Sequence, residues 1–209
     1  MSRNRSRRPR PTVTLPLLDI PFRSLRNPRP PYEWLDPEEV ERLHVASLDI
    51  LEQVGVDMLD DEALDVWQRA GAKVDHSSRR VWPDRGLVME SVAKAPARFR
   101  WRARNPAHDV GIGDDAIAFG PCGGMAYATD LDRGRRPGTM ADYENLLRLS
   151  QSCHALHFAA WEQVTAQDVP VSARHLRRVR AAFRLTNKVV MEGAPGRIIP
   201  SDTLAMLKL

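Results

Sequence analysis

Residues 156–161 read LHFAAW, and nearly every side chain in this stretch is apolar. A short run of this kind is typical of a strand that is buried on both of its faces. A helix is predicted over residues 172–185, and residues 189–191, VVM, form a second short apolar strand. Because strand and helix alternate here, the sequence predicts a parallel α/β layer, which continues into a helix over 201–209.

This alternation is the pattern of a (β/α) barrel, which needs eight strand–helix units and typically about 250 residues. The chain has 209 residues and supplies two such strands, and its last predicted helix ends on Leu209 with an apolar face that lacks a partner. We therefore predict an α/β fold in which N-terminal helices and a small antiparallel sheet lead into an incomplete (β/α) barrel of the TIM type. A naturally short chain, whose last helix docks on the body, is the alternative.

The residues before this layer are predicted to form helices and short strands. Asp36 and Glu39 stand at the two positions of a capping box, Pro37 suits the first helical position, and Gly55 ends the helix. Further helices are predicted over 61–70 and 83–94 and from Thr139 onward. The helix over 172–185 is predicted to be basic on one side through Arg174, Arg177, Arg178 and Arg184. Short strands, which together suggest one small antiparallel sheet, are predicted at 99–103, 110–112, 116–119 and 127–131.

A glycine-rich loop, GPCGG at residues 120–124, follows the short apolar strand at 116–119. Glycine allows backbone angles that other residues avoid, and it lets the main chain approach a ligand closely. The loop is therefore a candidate site, and a tight turn between two strands is the alternative. The candidate substrate-binding residues are those of the loop and aromatic side chains near the predicted barrel mouth: Gly120, Pro121, Gly123, Gly124, Tyr127 and Trp161. For Trp161, as for Phe158, packing in the core is the competing interpretation.

Glu162 directly follows the first apolar strand, where barrel enzymes place catalytic groups, and it is the candidate catalytic residue. A charged residue that merely leaves a strand is the competing interpretation. Cys153, His154 and His157 do not have the spacing of a structural zinc site, so no metal site is predicted. Cys122 has no identifiable base and is not predicted to be a nucleophile.

The first 31 residues are set apart by their composition. They contain eight arginines, seven prolines and one aspartate, so this segment carries a charge of +7 and leaves −3 for the rest of a chain whose total is +4. We predict a disordered basic tail, since such a segment cannot bury enough apolar area to offset the entropy lost on ordering. Binding of nucleic acid by this tail is disfavoured, because no stacking platform or recognition motif accompanies the arginines.

No apolar run approaches the roughly 20 residues that span a bilayer, and no secretory signal is recognisable. The two cysteines fit a reducing compartment, so the sequence predicts a soluble cytoplasmic protein without a membrane partner. The predicted segments are the tail over 1–31, a helical and small-sheet region over 32–138, and the first barrel units over 139–209.

Nine short segments carry a resemblance to a known family, and they lie at residues 36–56, 62–64, 70–74, 103–106, 119–121, 123–124, 130–131, 157–158 and 168–170. Their order and spacing resemble the N-terminal part of the trimethylamine methyltransferase family, the corrinoid-protein co-methyltransferases. The resemblance covers residues 32–209. Cys122 departs from the family pattern, because glycine is common at that position.

The resemblance implies a (β/α) barrel roughly twice this length. It also implies transfer of a methyl group from a methylated or quaternary amine, trimethylamine-like or betaine-like, to the cobalt of a partner corrinoid protein. No cofactor would be bound directly by the chain, the corrinoid protein and the small amine would be its partners, and the full-length form is a candidate homo-oligomer. The founding enzymes carry pyrrolysine in their C-terminal half, whereas other members lack it and resemble betaine methyltransferases.

Two functional hypotheses follow. In the first, the chain is a truncated methyltransferase that is inactive on its own, because most of the active site is absent. In the second, it is a non-catalytic module that binds a partner protein through its sheet or its basic arm.

Overall fold

The structure is a computed structural model that describes residues 21–159, 162–193 and 195–208. The helices are α1 (Pro37–Asp49), α2 (Asp61–Arg69), α3 (Arg85–Ala93), α4 (Met140–Ser152), α5 (Val171–Leu185) and α6 (Ile198–Met206). The strands are β1 (Leu25–Arg26), β2 (Val56–Asp57), β3 (Lys73–Asp75), β4 (Arg80–Trp82), β5 (Phe99–Trp101), β6 (Val110–Ile112), β7 (Ala116–Ile117), β8 (Tyr127–Asp130), β9 (Gly134–Pro137), β10 (Phe158–Ala159) and β11 (Val189–Val190). In the described part of the chain, no helix is long and apolar enough to cross a membrane.

The described residues divide into two compact units. The first unit is Pro28–Ala97, and the second joins the described residues up to Asn27 with those from Arg98 onward. These limits differ from the boundaries that the sequence suggested after residues 31 and 138.

Helix α1 of the first unit begins as its sequence predicts. The Asp36 carboxylate accepts a hydrogen bond from the Glu39 N–H at 2.8 Å, and the Glu39 carboxylate accepts one from the Asp36 N–H at 3.1 Å, so the capping box is confirmed. The helix continues as a π-helical turn, Ile50–Val54, and ends at Gly55. A side chain is excluded at Gly55 because φ is +77° and a Cβ atom would lie 2.6 Å from the Val81 carbonyl oxygen.

A three-stranded antiparallel sheet of order β2–β4–β3 completes the first unit. Its core consists of Leu64 from α2, Val81 from β4, and Ala72 between α2 and β3. Arg85 at the start of α3 pairs with Asp49 at 2.7 Å and with Glu52 at 2.5 Å, so it joins α3 to the end of α1 and its π-helical turn.

The second unit contains a parallel pair of strands, β10 and β11. Phe158 lies opposite Val189 and Ala159 lies opposite Val190, while α5 connects the two strands. Helix α4 packs on β10 and α5, around a core of Tyr143, Leu147, Ala159, Val164, Ala181 and Ala182. The strand–helix–strand order confirms the predicted α/β layer. The described residues form no closed barrel.

The antiparallel strands of the second unit differ from the single small sheet predicted for them. They form three separate pairs, β1 with β7, β5 with β6, and β8 with β9. Gly113 at φ +111° and Asp114 at φ +52° turn the chain sharply between β6 and β7. Strand β7 is thereby paired with β1 instead of extending the β5–β6 pair.

Part of the predicted disordered tail is integrated into the second unit. Residues 1–20 lie outside the described residues, but Leu25 and Arg26 form β1, and Arg26 pairs with Asp115 at 2.5 Å. The Phe22 ring packs against His108, with 4.7 Å between ring centroids. The tail prediction therefore does not hold for residues 22–26, because this stretch contains an aromatic ring and a strand edge besides its two arginines.

Lys188 lies directly before β11 and is 1% exposed. Its side chain connects the start of β11 to the end of α4. Its Nζ atom donates to the carbonyl oxygens of Ser150, Cys153 and Leu156 at 2.6, 2.7 and 2.9 Å. These acceptors lie at and just beyond the C-terminus of α4, where the helix dipole also favours a cation. Burial lowers the pKa of Lys188 to about 8, so its ammonium group stays protonated at neutral pH.

We expect Lys188→Met to lower the free energy of unfolding by about 3 kcal/mol, because it leaves three carbonyl groups without their donor in a buried site. Urea denaturation measures this difference, and Lys208→Met, at an exposed lysine, is the matched control. Equal stabilities of the two variants would contradict the role assigned to Lys188.

Candidate functional site

Two carboxylates follow the parallel strands at the same edge of the second unit. Glu162 comes shortly after β10 and Glu192 comes shortly after β11, and their side chains are only 16% and 11% exposed. Arg178 of α5, with a side chain 8% exposed, lies between them. Its Nη1 atom is 3.4 Å from Glu162 Oε1, and its Nη2 atom donates to Glu192 Oε2 at 3.2 Å.

The electrostatics of this cluster favour an additional cation. One guanidinium faces two carboxylates, so one negative charge stays unbalanced when both are ionised. Burial raises the pKa of Glu192, and the charge of Glu162 adds to that rise, while Arg178 opposes it. Among the described residues, Glu192 Oε1 has no hydrogen-bond partner although it is buried.

Tyr143 of α4 contributes a buried phenol near the cluster. Burial raises the pKa of Tyr143 well above its ordinary value, and the carboxylates of Glu192 and Glu162 raise it further. The phenol therefore stays neutral and protonated at any physiological pH, and it can act only as a hydrogen-bonding group.

The glycine-rich loop lies beside β10 and reaches the cluster. The Gly124 N–H donates to the Glu162 carbonyl oxygen at 2.5 Å, and Gly124 has φ +83°. At the start of the loop, a Cβ atom on Gly120 would lie 2.2 Å from the Phe158 ring. The loop is thus in contact at both ends, through Gly120 with the Phe158 ring of β10 and through Gly124 with the main chain of Glu162.

Tyr127 follows the loop on β8 and is 48% exposed. The guanidinium of Arg135 on β9 lies over its ring, 3.7 Å from the ring centroid. One face of the ring is therefore already occupied by a cation. Tyr127 and Gln163 line the same groove of about 320 Å³, beside the glycine-rich loop.

The remaining residues considered in the sequence analysis do not line the carboxylate cluster by any described contact. Pro121 and Gly123 lie within the loop, and Cys122 is an exposed free thiol there. Trp161 lies outside the described residues. Phe158 packs against Trp101, with 5.4 Å between ring centroids, and against Gly120.

The histidines near Cys153 have hydrogen-bonding and packing contacts. His157 is 2% exposed, its Nδ1 atom accepts from the Phe119 N–H at 2.9 Å, and its Nε2 atom lies 3.0 Å from the Arg23 carbonyl oxygen. Because a carbonyl oxygen can only accept, these bonds select the tautomer protonated at Nε2. His154 packs on His108. Among the described residues, no three or more potential ligands are grouped to hold a metal ion.

Sequence reasoning missed two members of the cluster. Glu192 follows the VVM strand as Glu162 follows LHFAAW, so the same positional argument could have found it. Arg178 was grouped with the basic side of its helix, and this prediction is wrong. It lies on the face that also carries buried Val179 and Ala182, where the two carboxylates compensate its charge.

The chain shares extended similarity with known methyltransferases. A family model described as trimethylamine methyltransferase matches residues 2–209. A glycine betaine methyltransferase of Desulfitobacterium hafniense is 33% identical over 175 residues, which are 84% of this chain and 36% of that protein. A trimethylamine methyltransferase of the same species is 27% identical over 160 residues, 76% of this chain and 32% of that protein. An L-carnitine:corrinoid methyltransferase of Eubacterium limosum is 26% identical over 136 residues, 64% of this chain and 26% of that protein. The chain thus spans about a third of the length of the curated relatives it matches.

We expect Gly120→Ala to lower the free energy of unfolding by about 1–3 kcal/mol, because its methyl group overlaps the Phe158 ring. Gly111→Ala is the matched control, since no atom lies within 4 Å of a Cβ atom at that position. Thermal denaturation of both variants measures the difference. A Gly120→Ala variant as stable as the control would show that the loop does not pack against β10.

We expect Glu192→Gln to raise the melting temperature at pH 7. A carboxyl whose pKa is raised on folding destabilises the folded state as pH increases through that pKa, and an amide removes this effect. The difference from the unmodified chain should therefore shrink as the pH is lowered below about 4.5, where the carboxyl is protonated in both states. Glu41→Gln, at an exposed glutamate, is the control, and a melting temperature lowered by Glu192→Gln at pH 7 would contradict the assignment.

Proposed function

Because the chain belongs to the trimethylamine methyltransferase family, we propose that its carboxylate cluster serves the transfer of a methyl group from a methylated or quaternary amine to the cobalt of a corrinoid carried by a partner protein. The relatives are named for glycine betaine, trimethylamine and L-carnitine. Each of these compounds presents a methylated ammonium group, since trimethylamine is protonated at neutral pH. The observation that carries the proposal is the buried Glu162–Arg178–Glu192 cluster at the ends of two parallel strands.

A methylated ammonium group needs a special kind of site. It offers few or no N–H donors, so it is held by charge and by close apolar or aromatic surroundings. The cluster supplies one unbalanced negative charge that has little exposure to water. Coulomb attraction at such a buried position is screened less than at the surface. Glu192 Oε1, which has no hydrogen-bond partner among the described residues, is the atom we assign to face the cation.

The neighbouring residues would orient the substrate. Arg178 fixes both carboxylates and prevents two unbalanced charges from repelling each other. The loop at 120–124 forms one wall, because Gly124 is bonded to the main chain of Glu162. We also assign Tyr127, which lines the groove beside this wall, to the substrate site.

The substrate loses one positive charge during the reaction, and this loss weakens its attraction to the cluster. The corrinoid of the partner supplies the cobalt that accepts the methyl group, while the C–N bond breaks and its electron pair stays on nitrogen. The amine that remains has one positive charge less than the substrate. The carboxylates attract it less strongly than the substrate, so they favour exchange of product for new substrate.

We also propose that β10 and β11 belong to a (β/α) barrel of the TIM type. The strands are parallel, α5 connects them, and the carboxylates follow their C-terminal ends. Active sites of such barrels are built at that end of the strands.

The proposal is tested first by binding. We expect the chain to bind choline and glycine betaine but not 3,3-dimethylbutanol, the uncharged carbon analogue of choline, when each is titrated into it and followed by calorimetry. The double variant Glu162→Gln/Glu192→Gln should weaken choline binding at least about tenfold, which corresponds to about 1.4 kcal/mol. Glu90→Gln, an exposed carboxylate in the other unit, should leave binding unchanged.

Equal binding of choline and its uncharged analogue, or unchanged binding by the double variant, would contradict a cation site at this cluster. Activity is tested with a full-length form that contains this chain, together with the corrinoid partner, cob(I)alamin and a panel of methylated amines, by following the absorbance of the reduced cobalt. Substrate-dependent loss of that absorbance, abolished by the double variant, is the expected result.

A further inference from the structure

A groove between α4 and α5 carries an unusual concentration of arginines. It has a volume of about 450 Å³, and four arginines, Arg148, Arg177, Arg180 and Arg184, line it together with Glu144. We call this the arginine groove. Its remaining lining is apolar and consists of Met140, Ala181 and Leu185.

The charge of the arginine groove is mostly uncompensated. Arg148 pairs with Glu144 at 3.1 Å, but Arg177, Arg180 and Arg184 form no ion pair within the described part of the chain. All three are exposed on successive turns of α5. Because like charges on one helix face repel each other, an anionic partner would be attracted to this groove.

The first unit presents a surface of complementary chemistry. Tyr32 and Trp34 are 80% and 86% exposed, and their rings meet edge to face with 5.6 Å between centroids. Three exposed glutamates, Glu33, Glu38 and Glu41, lie within seven residues of Trp34 in the sequence. We call these five residues the acidic–aromatic surface. They belong to a unit with fifteen acidic and eight basic residues, a net charge of −7.

We propose that the arginine groove of one chain binds the acidic–aromatic surface of a second copy. Guanidinium groups pair with carboxylates and also stack on the faces of tryptophan and tyrosine. Aromatic side chains exposed to this degree are typical anchors of protein interfaces, where they contribute much of the binding energy. The groove supplies the cations, and its apolar floor accommodates the rings.

A nucleic acid fits the arginine groove less well than this surface. Binding of single strands without sequence preference relies on aromatic platforms inside the basic groove, and no aromatic side chain lines this one. The aromatic rings that an arginine-rich partner needs lie instead on the acidic–aromatic surface of the same sequence.

Sedimentation equilibrium of the full chain tests the proposal. We expect self-association that weakens about tenfold or more when the salt concentration rises from about 50 to about 300 mM, as for an interface dominated by charge pairs. Arg177→Glu/Arg180→Glu should abolish association, and so should Glu38→Arg/Glu41→Arg. Trp34→Ala, at a side chain that is almost fully exposed, should weaken it without affecting the fold.

Mixing the two charge-reversed variants is the decisive experiment. Each keeps one intact surface, so the equimolar mixture should form a heterodimer although neither variant associates alone. Arg69→Glu/Arg102→Glu changes the net charge equally at two other exposed arginines and should associate like the unmodified chain. A monomer at every salt concentration, or association that survives both reversals, would overturn the proposal. Heterodimer formation in the mixture does not require the carboxylate cluster to bind a methylated amine. The result of this experiment is therefore independent of the proposed function.

Discussion

The parallel pairing of Phe158–Ala159 with Val189–Val190 determines where the chemistry of this chain can lie. Each strand contributes only two residues to the pair, so the register depends on its surroundings. Lys188 fixes β11 by binding three carbonyl groups at the end of α4, and Ala159 anchors β10 in the core. Because the strands run in the same direction, the residues that follow them, Glu162 and Glu192, come out at one edge.

The two buried charged groups are compensated to different degrees. The ammonium of Lys188 donates to three carbonyl oxygens, and these hydrogen bonds offset much of the cost of burying its charge. The cluster of Glu162, Arg178 and Glu192 contains an excess carboxylate, which burial disfavours. An arrangement that lowers stability in this way is typical of a site that is completed by a ligand of opposite charge.

Local signals in the sequence predicted much of the fold. The capping box at Asp36, the stop at Gly55 and the apolar runs at 156–161 and 189–191 each depend on neighbouring residues, and the corresponding elements are present. The pairing of β7 with β1 could not be read in this way, because it joins residues about ninety positions apart. Arg178 was misplaced for a related reason. Its burial depends on two glutamates that approach it only after the strands have paired.

The contact between Gly120 and the Phe158 ring links two positions that are 38 residues apart in the chain. Any side chain at position 120 would occupy the volume of that ring, so the two positions cannot change independently. In related sequences, a larger residue at the loop position should be accompanied by a smaller one on the strand. Positions 120 and 158 would then show correlated substitutions among related sequences. The conformation of the loop would therefore be retained only together with the side chain against which it packs.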